Sequence, residues 1–118
     1  MAKQTYSGSC QCGAVAFEAD VDLDHSVACN CSRCRRLGSV LAFTPLDGFR
    51  LQKGEEAVSE YLFNTETIRH LFCRTCGIES FAYGQMPDGT KMAAVNANCL
   101  DGVDARALSP QMYDGASK

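Results

Sequence analysis

The segment Cys29-Asn30-Cys31-Ser32-Arg33-Cys34 places three thiols within six residues, and two cations, Arg35 and Arg36, follow directly. A thiol pair lies on either side of it, Cys10-Gln11-Cys12 before and Cys73-Arg74-Thr75-Cys76 after. Thiolates at C-x-C and C-x-x-C spacing suit a soft cation. Tetrahedral zinc holds its sulfurs at about 2.3 Å, hence roughly 3.8 Å from one another, and a sharply bent segment can supply two of them. The two outer pairs together make a complete set, Cys10, Cys12, Cys73 and Cys76, from segments about sixty residues apart. A closed four-thiolate site of this kind is structural. Gly13 and Gly77, each directly after a pair, can take the positive φ of a tight turn and turn amides toward the sulfurs.

That pairing leaves Cys29, Cys31 and Cys34 one ligand short. Cys99, His25 and His70 are candidates to close the set, and each is equally readable as an ordinary packed or surface side chain. An open fourth position is what separates catalytic zinc from structural zinc. Three thiolates overcompensate the charge of the ion, so it would be a modest Lewis acid, better suited to capturing and deprotonating an incoming thiol. Arg33, Arg35 and Arg36 offset the negative charge of the sulfurs. Arg35 and Arg36 can also pair with a carboxylate of an anionic thiol. Tyr83, His25 and His70 have the right chemistry to act as proton donors.

These side chains need a scaffold, and the hydrophobic pattern points to short strands. Residues 14–21 read as a strand with Val15 and Phe17 on one face, and 39–44 as a mostly buried strand stopped by Pro45 and Asp47-Gly48. Further extended segments are expected at 49–52, 58–63, 68–72, 80–83 and 91–97, separated by Lys53-Gly54 and Pro87-Asp88-Gly89. The first nine residues read as a polar entry ending in the turn Ser7-Gly8-Ser9, and 104–118 as a weakly patterned tail. No long window sustains a 3.6-residue period, so a single, mostly β, antiparallel domain is expected over 1–118, with its core in about 5–103.

With 118 residues and 46% hydrophobic side chains, the chain can bury one core. A net charge of -3 and few aromatics argue against nucleic acid as the partner. The polar start, MAKQTYSGSC, has no apolar signal core, and no window approaches the roughly 18 apolar residues of a membrane span. A cytoplasmic protein follows, in which reduced thiols bind metal or react more readily than they form disulfides.

Three blocks, taken together, resemble the glutathione-dependent formaldehyde-activating enzyme family, which also contains centromere protein V. They are Gly8-Ser9-Cys10-Gln11-Cys12-Gly13-Ala14-Val15, then Cys29 to Arg36 followed by Gly38-Ser39, then Phe72-Cys73-Arg74-Thr75-Cys76-Gly77. The resemblance implies a zinc-pinned β fold of the MSS-four-like type. It also implies a structural zinc on Cys10, Cys12, Cys73 and Cys76, and a second zinc on Cys29, Cys31 and Cys34 that meets the thiol of glutathione. The implied reaction adds that thiol to formaldehyde to give S-hydroxymethylglutathione, classed in reverse as a carbon-sulfur lyase. The sequence departs from the family's pattern in two places. It ends soon after Asn98-Cys99-Leu100-Asp101, and Ile78-Glu79 sets a charge where small or apolar residues are usual. A reading from a different class is a noncatalytic zinc module, both sites closed, that serves a protein partner or senses redox state or metal.

Overall fold

Strand β2 (Ala16–Val21) shows why the chain folds as sheets: Phe17, Ala19 and Val21 alternate with partly exposed neighbours and are fully buried. It is the middle strand of a three-stranded antiparallel sheet, between β1 (Gln4–Ser9) and β5 (Phe49–Lys53). The computed structural model describes residues 3–62 and 68–117.

The other strands are β3 (Val27–Cys29), β4 (Leu41–Pro45), β6 (Val58–Tyr61), β7 (Arg69–Cys73), β8 (Phe81–Gln85), β9 (Lys91–Asn96) and β10 (Gln111–Tyr113). They form a seven-stranded sheet in the order β10-β3-β4-β9-β8-β7-β6. Each pairing is antiparallel except β10 on β3, which is parallel. One helical turn, α1 (Cys34–Leu37), follows the central cysteine cluster.

The core lies between the sheets. Phe17 and Phe49 come from the small sheet and Phe81 from the large one, with ring centroids 4.9 to 6.2 Å apart. Each buried ring contributes about 1.5–3 kcal/mol by leaving water. Val15, Ala42, Ala93, Val95 and Leu100 belong to the same core. A mostly β single domain is therefore what the chain forms. No described helix is long and apolar enough to cross a membrane.

The ends of the chain depart from expectation. Residues 4–9, read as a polar entry, are β1, whose register runs from Gln4 opposite Val21 to Ser9 opposite Ala16. The segment after Asp104, read as weakly patterned, contains β10 and closes on the central cluster. The strand expected at 58–63 runs as β6 to Tyr61, and Phe63 lies outside the described residues.

Candidate metal centres

Cys10 directly follows β1, and the chain turns back at once: its amide donates to Val15 O at 3.0 Å, and the Val15 amide donates to Cys10 Sγ at 3.3 Å. Gly13 has φ +83° in this turn. Cys73 ends β7 in a similar turn. Its Sγ accepts the amides of Thr75 at 3.3 Å and Cys76 at 3.5 Å, and Gly77, with φ +80°, donates to Cys73 O at 2.9 Å. A side chain with a Cβ would be strained at either φ, which is why glycine follows each pair.

The two turns belong to different sheets and meet. The sulfurs of Cys10, Cys12, Cys73 and Cys76 lie within 4.8 Å of one another, with Cys10 to Cys12 at 3.8 Å and Cys12 to Cys73 at 3.6 Å. Those spacings match the sulfur separation of tetrahedral zinc, roughly 3.8 Å. The electrostatics agree. The Cys12 and Ile78 amides pull the Cys76 thiol down to about 6. The Ala14 amide pulls the Cys12 thiol down, but partial desolvation and its three thiol neighbours together outweigh it and push the thiol up to about 11. Crowded thiols cannot all ionise without a cation, so the donor set fits a thiophilic metal.

In the central cluster, β3 delivers Cys29, a turn carries Cys31, and α1 begins at Cys34. The Cys31 amide donates to Cys29 Sγ at 3.4 Å and the Cys34 amide to Cys31 Sγ at 3.3 Å. Gly38 ends the helical turn, its amide on Cys34 O at 2.9 Å. The three sulfurs lie within 4.8 Å of one another, and among the described residues no fourth His, Cys, Asp or Glu ligand atom joins them. Burial, then the neighbouring sulfurs, push the Cys34 thiol up to about 12. Burial also raises Cys31, but amides and sulfurs nearby outweigh it and hold this thiol below its ordinary value. This donor set also fits a soft cation, with one position left over.

None of the side chains considered as a fourth ligand joins the central cluster. His25 is exposed, with Nδ1 3.0 Å from an Asp22 carboxylate oxygen. His70 is buried on β7 with Nδ1 3.1 Å from Glu79 Oε2. Burial pushes the Cys99 thiol up to about 11, with the charges of Cys10 and Cys76 adding to it, and Cys99 joins neither cluster of sulfurs. Tyr83 lines a separate groove on the sheet with Leu46, Phe49, Arg69 and Lys91.

A shallow groove beside the central cluster is lined by Ser32, Arg33, Arg36, Leu37 and Tyr61. Arg36 Nη1 donates to Ser32 O at 2.7 Å. Arg33 donates from Nε and Nη2 to Glu79 Oε1, at 3.0 and 2.6 Å, and its guanidinium lies 4.6 Å from the Tyr61 ring centroid. Arg35 is exposed and is not among the lining residues. Sequence reasoning passed over Tyr61, because nothing local connects β6 to a loop about thirty residues earlier.

The C-terminal segment packs against the central cluster itself. Asn30 donates its amide to Tyr113 O at 3.1 Å and its Nδ2 to Asp114 Oδ1 at 3.0 Å, while its Oδ1 accepts the Ala116 amide at 2.9 Å. These bonds press Gly115 against the cluster so closely that a Cβ there would sit 2.5 Å from Cys29 Sγ. Gly115→Ala is therefore expected to lift this segment. Amide exchange at 111–117 should rise while the β8 and β9 amides stay protected, and unchanged exchange would show that the methyl finds room.

Nearly the whole chain is similar to known proteins. The sequence model of the family described as glutathione-dependent formaldehyde-activating enzyme matches residues 5–114. A solved crystal structure of a Rhodobacter sphaeroides protein is similar at 36% identity with a TM-score of 0.80, over 90% of this chain and 97% of that one. On a match that spans both cysteine clusters and nearly the whole sequence, the chain belongs to the glutathione-dependent formaldehyde-activating enzyme family.

Proposed function

We propose that this chain activates a small thiol, glutathione, for reversible addition to formaldehyde or another aldehyde, a carbon-sulfur lyase reaction in the reverse sense. One observation carries the reading. Three sulfurs, Cys29, Cys31 and Cys34, converge without a fourth ligand atom among the described residues, beside a groove that presents Arg36. Two zinc ions are proposed, one on Cys10, Cys12, Cys73 and Cys76 to hold the fold, and one on the central three. A zinc ion held by Cys29, Cys31 and Cys34 would supply capture of the thiol and stabilisation of its thiolate.

The chain's own residues would do the rest. Arg36 offers a guanidinium to a carboxylate of the tripeptide, and Leu37 and Tyr61 give the groove apolar sides. Gly115 packs against Cys29 and Asn30 holds that segment in place, so the Cys29 side is covered by the chain's own C-terminal segment. The thiol loses its proton, its sulfur bonds to the carbonyl carbon, and the carbonyl oxygen takes a proton to become a hydroxyl. The reverse step breaks the same carbon-sulfur bond. All eight cysteines are free, which suits the reducing cytoplasm proposed as the site of action.

Cobalt substitution tests the reading. Glutathione at millimolar concentration should shift the absorption of the second cobalt and leave the first unchanged. An unmoved spectrum across that range would remove the thiol site and favour a noncatalytic zinc module. Arg36→Ala is expected to raise KM for glutathione by roughly three- to tenfold, the weight of an exposed charge-assisted hydrogen bond, with metal content unchanged. An unaltered KM would take the carboxylate anchor away from Arg36. Arg35→Ala should have the smaller effect, since Arg35 does not line the groove.

A further inference from the structure

Glu79 lies just after the third cysteine block, and it is buried, with 8% of its surface exposed. A carboxylate out of water must be paired and hydrogen-bonded. Glu79 is paired on both oxygens: Arg33 Nε and Nη2 converge on Oε1 at 3.0 and 2.6 Å, and His70 Nδ1 meets Oε2 at 3.1 Å. Its backbone is fixed as well, since Asn96 Nδ2 donates to Glu79 O at 3.2 Å and the preceding Ile78 O accepts the Cys73 amide at 3.0 Å. Arg33 stands between two of the central cysteines, and Glu79 lies three residues beyond Cys76. The ion pair therefore ties the turn of one cluster to the turn of the other.

We propose that Glu79 is a positioning residue for the central metal site. Through Arg33 it fixes the 31–34 turn, and it keeps the Arg33 guanidinium on the Tyr61 ring as a wall of the groove. Two consequences follow. The sulfurs of Cys31 and Cys34 keep their separation whether or not a ligand occupies the groove, because their connecting turn is anchored to a rigid sheet end. Arg33 is also neutralised in place, which leaves Arg36 as the cation that a ligand in the groove meets. The part of this that concerns glutathione rests on the proposed function; the part that concerns the metal turn does not.

A double-mutant cycle on metal-loaded protein tests it, with Glu79→Gln, Arg33→Gln and the pair. Release of the metal from the central site to a chelator should speed up by about tenfold in either single variant, the weight of one charge-assisted hydrogen bond, and no further in the double variant. The cobalt absorption of the central site should shift in Glu79→Gln while that of the four-cysteine site does not, which separates positioning from general loss of structure. Arg33→Lys keeps the charge but not the fork and should fall between wild type and Arg33→Gln; it serves also where Glu79→Gln does not fold. Unchanged release in the single variants, or effects that multiply in the double, would overturn the proposal. Glutathione is a separate arm: its KM should rise in Glu79→Gln, and an unaltered KM would take the groove wall out of the role of Glu79. If glutathione leaves the wild-type cobalt spectrum unmoved, the thiol reading fails and the release cycle still decides the role of Glu79.

Discussion

Cys73→Ser is expected to unfold the protein and release the metal proposed for the four-cysteine site. Cys73 is 1% exposed at the end of β7, and its Sγ lies 3.6 Å from that of Cys12 across 61 residues of chain. The four sulfurs join turns from two sheets that otherwise meet through a core of modest size. A four-thiolate zinc contributes an apparent ~10–16 kcal/mol, against total stabilities of about 5–15 kcal/mol for native domains. Serine is a poor substitute, because a hydroxyl does not ionise at neutral pH and is a harder donor. It would also leave the amides of Thr75 and Cys76 facing a shorter side chain. Far-ultraviolet circular dichroism and a zinc assay on the purified variant check the expectation. Native-like ellipticity with an undiminished thermal midpoint would mean that the core holds the sheets together by itself.

Much of this arrangement is legible in the sequence because its signals are local. Thiol spacing gives the pairs, a glycine after each gives the turns, and alternation in residues 16–21 gives β2. The segments that sequence reasoning misses lack an inward-facing row of apolar residues. Strand β1 is built from Gln4, Thr5, Tyr6, Ser7, Gly8 and Ser9, and only Gly8 among them is buried. Its place is set by six register pairs with β2 and by the Gly8 to Leu100 bridge, none of which leaves a local periodicity. Strand β10 is exposed at all three positions and pairs in parallel with β3, about eighty residues earlier. Its anchor is Asn30, which in sequence looks like a spacer between two cysteines.

Glu79 shows the same limit in the site itself. In the sequence it is a charge just after the last cysteine pair with no visible partner, and only the fold brings it to Arg33, 46 residues away, and to His70 on β7. The sequence carries the metal ligands because they come in short segments. It does not carry the residues that orient those segments, since their partners are set by strand register.

Cys31→Ser is expected to do the opposite of Cys73→Ser: to lose one metal of the proposed two, keep the fold, and abolish thiol-dependent turnover. The turn it occupies has hydrogen bonds of its own. The Arg35 amide donates to Cys31 O at 3.0 Å, Arg33 is bound to Glu79, and Asn30 is tied to Tyr113, Asp114 and Ala116. The central cluster lies at the surface side of β3 and α1, and Cys29 and Cys31 are only partly buried. Little core is at stake there. With two sulfurs left, a soft cation would be bound weakly and the incoming thiol would meet no preorganised site, so the rate should fall by at least about a hundredfold. Metal analysis, thermal melting and a glutathione-dependent formaldehyde assay on the same preparation give the outcome. One metal per chain with a wild-type melting curve and no activity supports separate roles for the two clusters. Retention of both metals with full turnover would remove Cys31 from the site, and loss of both with unfolding would make the central cluster as structural as the first.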